Sequence, residues 1–313
     1  MRSVISWVSM AVAVTFVLTS VHAAGPAPGL ESYVPAQYDL TIRVNVRKAL
    51  SDPVLEPLRA MVMKPGTNQF VDGITSLTGV NLRTDVDTIV LAGYADKSRK
   101  KDGLLLCEGR FAKDSLVAFF KGLGQYEAIP QGNVTIHGYW SAQDNEVRYA
   151  AFLTDNVIVM GRREAVKSAV GVRDTVESRL AGNPAYASRL AAVPADALIA
   201  LVALSPAGKA GAAKAEPLMR SIAAVRMSVA VDQQVHVAAN FSMAGADVAK
   251  LAEQVVRGAL ALPQLVDPNA PVSKVAGRAH VATRGNDVGA SVDVTVGEIC
   301  AILAAHPKPA LGR

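Results

Sequence analysis

The residues best suited to chemistry in this chain are two histidines in strand-like segments. His236 alternates with Val235 and Val237 in "QVHVAANF", and His280 precedes Val281 in "RAHVAT". Period-two alternation places each histidine on the polar face of its strand. If these strands were neighbours, the two imidazoles could converge on an open sheet face as a metal-binding or acid–base pair. No carboxylate or third ligand is visibly placed with them, and this favours an ordinary surface position for each.

The most concentrated charge is the segment "KSRKK", which supplies Lys97, Arg99, Lys100 and Lys101. It joins two apolar strand-like runs, so its simplest interpretation is a hairpin tip kept in solvent by charge. The alternative is a contact with anionic lipid headgroups or another envelope component. The formal charge of the whole chain is only +5, with the other basic residues spread out, so a nucleic-acid partner is not expected.

Other patterns that support catalysis are missing from the sequence. There is no GxSxG nucleophile elbow, no phosphate-binding P-loop and no GxGxxG after a strand. Cys107 and Cys300, the two cysteines, could form a disulfide in an oxidising compartment, but two separate buried thiols are the favoured interpretation. Because they lie in different halves without a CxxC motif, a zinc site is not expected. The sequence therefore predicts no cofactor, no metal and no enzymatic activity.

The first 24 residues have the three-part layout of a secretory signal peptide. Arg2 precedes an uncharged apolar run, and small residues surround a cleavage position after Ala23 or Ala24. The alternative, an uncleaved membrane anchor, needs a longer apolar run of roughly 20 residues. We therefore expect an exported bacterial protein, periplasmic or secreted, with no integral membrane segment after cleavage.

The remaining chain is organised as two similar successions of strands and helices. Residues 25–32 are predicted to be a linker, 33–192 a first unit, 193–306 a second unit and 307–313 a tail. Short connections between strands favour hairpins, so the predicted fold is α+β, with two tandem related units of largely antiparallel sheet and helices on one face. Each unit follows the order strand, helix, strand, strand, helix and then further strands.

Three local features sharpen this picture. Val-Pro-Ala occurs at Val34 and again at Val193, each time just before an apolar strand, which marks it as the start of a repeat. The long helix after Gly245 is expected to stop at Pro263. The segment "VAGRAHVAT" is expected to form a strand.

Three segments together carry a family resemblance: "YVPAQYDLTIRVNVRKALSDPVLEPL", "GVNLRTDVDTIVLAGY" and "FLTDNVIVMGRREAVKSAV". With the signal peptide, they make the chain resemble a group of exported bacterial α+β proteins of unknown function. The likeness covers most of residues 33–205 and is weaker beyond. It implies an envelope location and brings no catalytic or binding residues.

These observations rank three functions. The first is a non-catalytic binding or scaffolding module of the envelope, since the fold is well patterned and no polar constellation converges on a site. The second is a carrier of a lipid or other apolar ligand, enclosed by the Ala- and Val-rich helices and sheet. The third is a hydrolase, which would require His236 and His280 to meet a buried acid.

Overall fold

The computed structural model describes residues 29–63, 75–76, 78–95, 102–142, 145–173, 175, 178–204 and 217–305. Within them, twelve strands form one continuous sheet in the order β11-β12-β10-β9-β8-β1-β2-β3-β7-β6-β5-β4. The strands are β1 Leu40–Asn45, β2 Val86–Gly93, β3 Leu104–Gly109, β4 Glu127–Gln131, β5 Val134–Ser141, β6 Glu146–Phe152, β7 Val157–Gly161, β8 Ile199–Leu204, β9 Ile222–Val231, β10 Val235–Met243, β11 His280–Arg284 and β12 Asp287–Val294.

Every pairing in the sheet is antiparallel, as the short hairpin connections predict. The two halves of the chain meet where β1 pairs with β8, so the sheet runs from one half into the other without a break. The α+β class and the antiparallel sheet predicted from the sequence are confirmed.

The α-helices are interspersed among the strands and are numbered separately in chain order. They are α1 Val46–Ser51, α2 Glu56–Val62, α3 Lys113–Gly122, α4 Arg163–Val172, α5 Pro184–Ala191, α6 Pro217–Arg220, α7 Ala246–Val266, α8 Pro271–Arg278 and α9 Val296–Ala305. Side chains at their starts satisfy backbone amides: the Asn45 carboxamide accepts from the N–H of Lys48, and the Asn183 carboxamide accepts from the N–H of Ala185.

One face of the sheet, the α4 face, is covered in the N-terminal half by α4 and α5. Val90, Leu106 and Ile136 are fully buried there, in the same cluster as Val166 of α4 and Tyr186 of α5. The predicted linker ends inside this layer, because a 3₁₀ turn spanning Leu30–Tyr33 buries Leu30 and Glu31 against the same core. This layer buries the apolar side chains of the central strands on the α4 face of the sheet.

The opposite face, the α7 face, carries the other helices. Helix α3 packs through Phe120 on Cys107 and Ile158, and α7 packs through Ala249 on Val281 of β11. Helices α1, α2, α8 and α9 share a third cluster over one end of β8, β9, β10 and β12. The prediction of helices on one face is therefore wrong for the N-terminal half, because β2, β3 and β7 present apolar side chains on both faces and both must be covered.

Two local predictions in the C-terminal half are also wrong. Helix α7 continues through Pro263 to Val266, since a proline near a helix end removes only one hydrogen bond, the one to the carbonyl of Ala259. The residues before His280 form α8, which begins at Pro271, a favourable first helical position, so the strand starts only at His280.

Among the residues described, no helix combines the length and the apolar character needed to cross a bilayer. The predicted signal peptide and the tail lie outside the described residues. Both cysteines are free, and they sit in different clusters of the α7 face. The pKa of the Cys107 thiol is raised to about 12 by burial.

Candidate functional site

His236 lies on the α4 face at the end of β10 and is held between two aspartates. Its Nδ1 is 2.7 Å from Oδ1 of Asp293, the residue directly opposite on β12, and its Nε2 is 3.1 Å from Oδ1 of Asp232. The hydrogen bond to Asp293, supported by the one to Asp232, raises the pKa of His236. The sequence did not point to these carboxylates, since the strand register that pairs Asp293 with His236 is not visible in it.

This arrangement favours an ion pair over catalysis. Both ring nitrogens are engaged by different carboxylates, so neither is available to exchange a proton with a substrate. The carboxylate of Asp293 contacts one ring nitrogen and that of Asp232 contacts the other. Within the described part of the chain, no group of three or more His, Cys, Asp or Glu side chains is arranged to hold a metal ion.

His280 shares the α4 face with His236 but does not meet it. It is exposed on β11 opposite Ser291, and β12 lies between β11 and β10. Two strand spacings across and two residues along the strands place the Cα atoms of the two histidines about 12 Å apart. The structure therefore brings His236 together with two aspartates and leaves His280 apart from that cluster.

The basic cluster and a surface cleft complete the polar candidates. Lys97, Arg99, Lys100 and Lys101 lie outside the described residues. A shallow cleft of about 490 Å³ lies between the first Val-Pro-Ala segment and the end of α4, lined by Gln37, Ser168, Thr175 and small neighbours. The Ser168 hydroxyl donates to Oε1 of Gln37 across it at 3.4 Å. With small polar walls and no charged group, this cleft offers little to orient a ligand.

A more distinctive feature lies on the α7 face, at the middle of the sheet. The register places Leu91 of β2 opposite Ile42 of β1, Ile42 opposite Leu201 of β8, and Leu201 opposite Met227 of β9. Directly opposed residues share a face, so these four apolar side chains form one row across four strands, about 14 Å long. We call this row the central trough.

The central trough is incompletely covered. Leu91 is 46% exposed, and the other three side chains are half-buried. To one side α3 covers β3 and β7, and to the other α7 contacts β10, β11 and β12. Between them, Ile42 packs against the cluster that includes Ala49 of α1 and Leu58 of α2. A large aliphatic side chain as exposed as Leu91, at the end of an otherwise half-buried apolar row, is a candidate contact point for an apolar ligand.

Helix α7 carries a second exposed apolar feature, which we call the α7 stripe. Large aliphatic residues recur at intervals of three or four along the helix and therefore share one side. All of them are among the exposed large hydrophobic residues of the protein: Leu251, Val255, Leu262, Leu265 and Val266.

The contacts of α7 indicate which way the stripe faces. Glu253 and Arg257 hold the helix to β11, through the Thr283 hydroxyl, which donates to Glu253, and through the Val281 carbonyl, which accepts from Arg257. Val255 lies about 200° around the helix from Glu253 and is therefore on the side of α7 away from that sheet edge. In the sheet order, the strands of the central trough lie on that side of α7, which itself contacts β10, β11 and β12.

A neighbouring residue supports this orientation. Val248 lies two turns before Val255 on the same side of α7, and it packs in a cluster with Leu218 of α6 and Ile222 of β9. Further along the helix, Leu262, Leu265 and Val266 are more exposed than Val255. The central trough and the near part of the α7 stripe are therefore neighbouring apolar surfaces on the α7 face, and we refer to them together as the groove.

Comparisons with known proteins add little to this geometry. No protein-family model matches the chain, and no curated protein matches it. A solved structure titled "Structure of crystal form I of TP0453" is similar over 88% of this chain and 96% of its own, with 10% sequence identity and a TM-score of 0.44. A likeness at that level carries no information about function.

Proposed function

We propose that this protein is an exported, non-catalytic binding module whose ligand is a single apolar chain, such as the acyl chain of a lipid. The observation that carries the proposal is the partly exposed row of Leu91, Ile42, Leu201 and Met227 near the α7 stripe. A hydrolase is not proposed, because both nitrogens of His236 are occupied and His280 lies apart from it.

The proposal includes a tandem duplication, because the two Val-Pro-Ala segments share more than sequence. Val34 and Val193 are both buried in the cluster of the α4 face. After each proline the chain makes the same turn: the N–H of Tyr38 donates to the carbonyl of Pro35 at 3.2 Å, and the N–H of Ala197 donates to that of Pro194 at 3.0 Å. The next strand follows six residues after each valine.

The register of the central strands supports the same relation. The offset of 159 residues between the two valines carries Leu40, the start of β1, onto Ile199, the start of β8. The same offset carries Ile42 onto Leu201, and these two residues are the central pair of the β1–β8 ladder. Two equivalent strands paired about their own middle are related by a local two-fold axis, so the proposed ligand would lie where the two units meet.

The expected affinity follows from the apolar character of the groove. Each buried methylene contributes about 0.8 kcal/mol, so ten to twelve methylenes supply roughly 8–10 kcal/mol. This free energy is comparable to the cost of the translational and rotational freedom that a small ligand loses on binding. Affinity should therefore rise about fourfold for each methylene added to a short chain.

The test is equilibrium binding of a fluorescent long-chain fatty acid, displaced by unlabelled acids of increasing length. Leu91→Gln should weaken binding at least tenfold, because it places an amide on the floor of the groove. Leu123→Gln is the matched control, since Leu123 is an exposed leucine at the end of α3, away from the central trough.

Circular dichroism of both variants would establish that each remains folded. Saturable binding that depends on chain length and is lost only in Leu91→Gln supports the proposal. Absence of binding, or equal binding by wild type and both folded variants, would overturn it.

A further inference from the structure

The far end of the α7 stripe is too exposed to be explained as a groove wall. Leu262 is 59% exposed, Leu265 81% and Val266 86%, the highest values among the exposed large hydrophobic residues in the described part of the chain. Leaving three large aliphatic side chains this open to water is unfavourable unless they meet something. We call residues 258–266 the α7 tip.

The charge pattern of α7 separates the tip from the rest of the helix. Lys250, Glu253 and Arg257 lie in the first twelve residues of α7, whereas Gly258 to Val266 contain no ionisable side chain. Asp267 then ends the helix. A protein partner is usually selected by complementary charges around an apolar contact, and the α7 tip itself offers none.

The tip is held in a fixed position. Helix α8 packs back on α7, and the Ser273 hydroxyl donates to the carbonyl of Asp267 at 2.6 Å with Ser273 almost fully buried. The N–H of Asp267 also donates to the carbonyl of Pro263 at 3.0 Å. The exposed leucines therefore stand on a braced helix end, and this arrangement is pre-organised for contact.

We propose that the α7 tip inserts into the interfacial region of a lipid bilayer and opens the groove toward the membrane. A bilayer interface accepts aliphatic side chains to a depth of about 5–10 Å without requiring a matching shape or charge. The α7 stripe extends from Leu251 to Val266 at the tip, and in the proposal an acyl chain passes along it. Passage of an acyl chain between the bilayer and the groove rests on the proposed function, whereas insertion of the α7 tip into the bilayer does not.

The test is flotation with vesicles of phosphatidylcholine, which are zwitterionic, at low and high salt. The variant is the triple substitution Leu262→Ser, Leu265→Ser and Val266→Ser. We expect wild-type protein to bind with little dependence on salt, and the triple variant to bind at least tenfold more weakly. Leu91→Gln should bind vesicles as wild type does, and the triple variant should still bind free fatty acid, so the two proposals can fail separately.

Three outcomes would overturn this inference. The first is no vesicle binding, or binding that the folded triple variant retains. The second is binding only to anionic vesicles and abolished by salt, which would point to Lys97, Arg99, Lys100 and Lys101 instead. The third is a dimer, detected by light scattering, that the triple substitution dissociates, since a second copy of the chain would then cover the tip.

Discussion

Tyr186 and Thr41 form a buried hydrogen bond directly behind the central trough, and its removal should destabilise the protein. The two hydroxyl oxygens are 2.6 Å apart, with Tyr186 fully buried and Thr41 almost so. Thr41 precedes Ile42 on β1, so this bond fixes the centre of the sheet from the α4 face while Ile42 faces the groove. Burial raises the pKa of Tyr186, which keeps the phenol protonated at all ordinary pH values.

The magnitude follows from what each substitution leaves behind. Tyr186→Phe leaves the Thr41 hydroxyl buried without this partner, and Thr41→Val leaves the phenol without its own, so each should cost about 1–3 kcal/mol. The double variant removes both polar groups and should cost clearly less than the sum of the two. We expect a coupling free energy of about 1–2 kcal/mol between them.

The assay is urea unfolding of the four proteins, followed by circular dichroism at one temperature and one pH. Equal slopes against urea would show that only stability has changed. If the two single substitutions are additive, or if each costs less than about 0.5 kcal/mol, the account of the buried pair is wrong. Fatty acid binding by the folded Tyr186→Phe variant should be unchanged, because the hydroxyl lies on the other face of the sheet.

Three further predictions concern other parts of the chain. The raised pKa of His236 means that its ion pair with Asp293 stabilises the protein below the unfolded pKa and is lost as the pH rises through the folded one. The stability difference between wild type and His236→Gln, below about 1 kcal/mol for so exposed a pair, should thus shrink from pH 6 to pH 9, and a difference that grows would contradict this. Pro263→Ala should raise the free energy of unfolding by about 1–3 kcal/mol, because alanine restores the helix hydrogen bond that proline cannot make. Urea unfolding measures this difference, and a loss of stability would show that packing of the proline ring outweighs the missing hydrogen bond. Cys107 should resist alkylation until the protein unfolds, whereas the half-buried Cys300 should react first, as peptide mass spectrometry would reveal.

The strands could be predicted because their residues alternate. Leu40, Ile42 and Val44 alternate with polar residues in β1, and the short hairpin links imply antiparallel pairing. The end of α7 could not be predicted, because a proline four residues from a helix end does not determine whether the last turn forms. The second helical layer was also missed, since residues such as Val90 and Cys107 reveal apolar character without revealing which face each covers.

The candidate site was hidden for a different reason. Its four floor residues come from segments up to 185 residues apart, and only the register of three strand pairs places them in one row. The α7 stripe had a visible signal: nine consecutive residues without charge at the end of an amphipathic helix, from Gly258 to Val266. The carboxylates around His236 had no such signal, because Asp293 is 57 residues away in the chain.

The central claim is that an apolar chain binds at the junction of the two halves, over β1 and β8. The most direct measurement is photo-crosslinking with a fatty acid that carries a diazirine near its methyl end, followed by peptide mass spectrometry of the labelled protein. The account predicts labels on peptides from β1, β2, β8, β9 or α7, reduced by excess unlabelled fatty acid and by Leu91→Gln. Competed labelling confined to the α4 face, on peptides from α4 or α5, would contradict it.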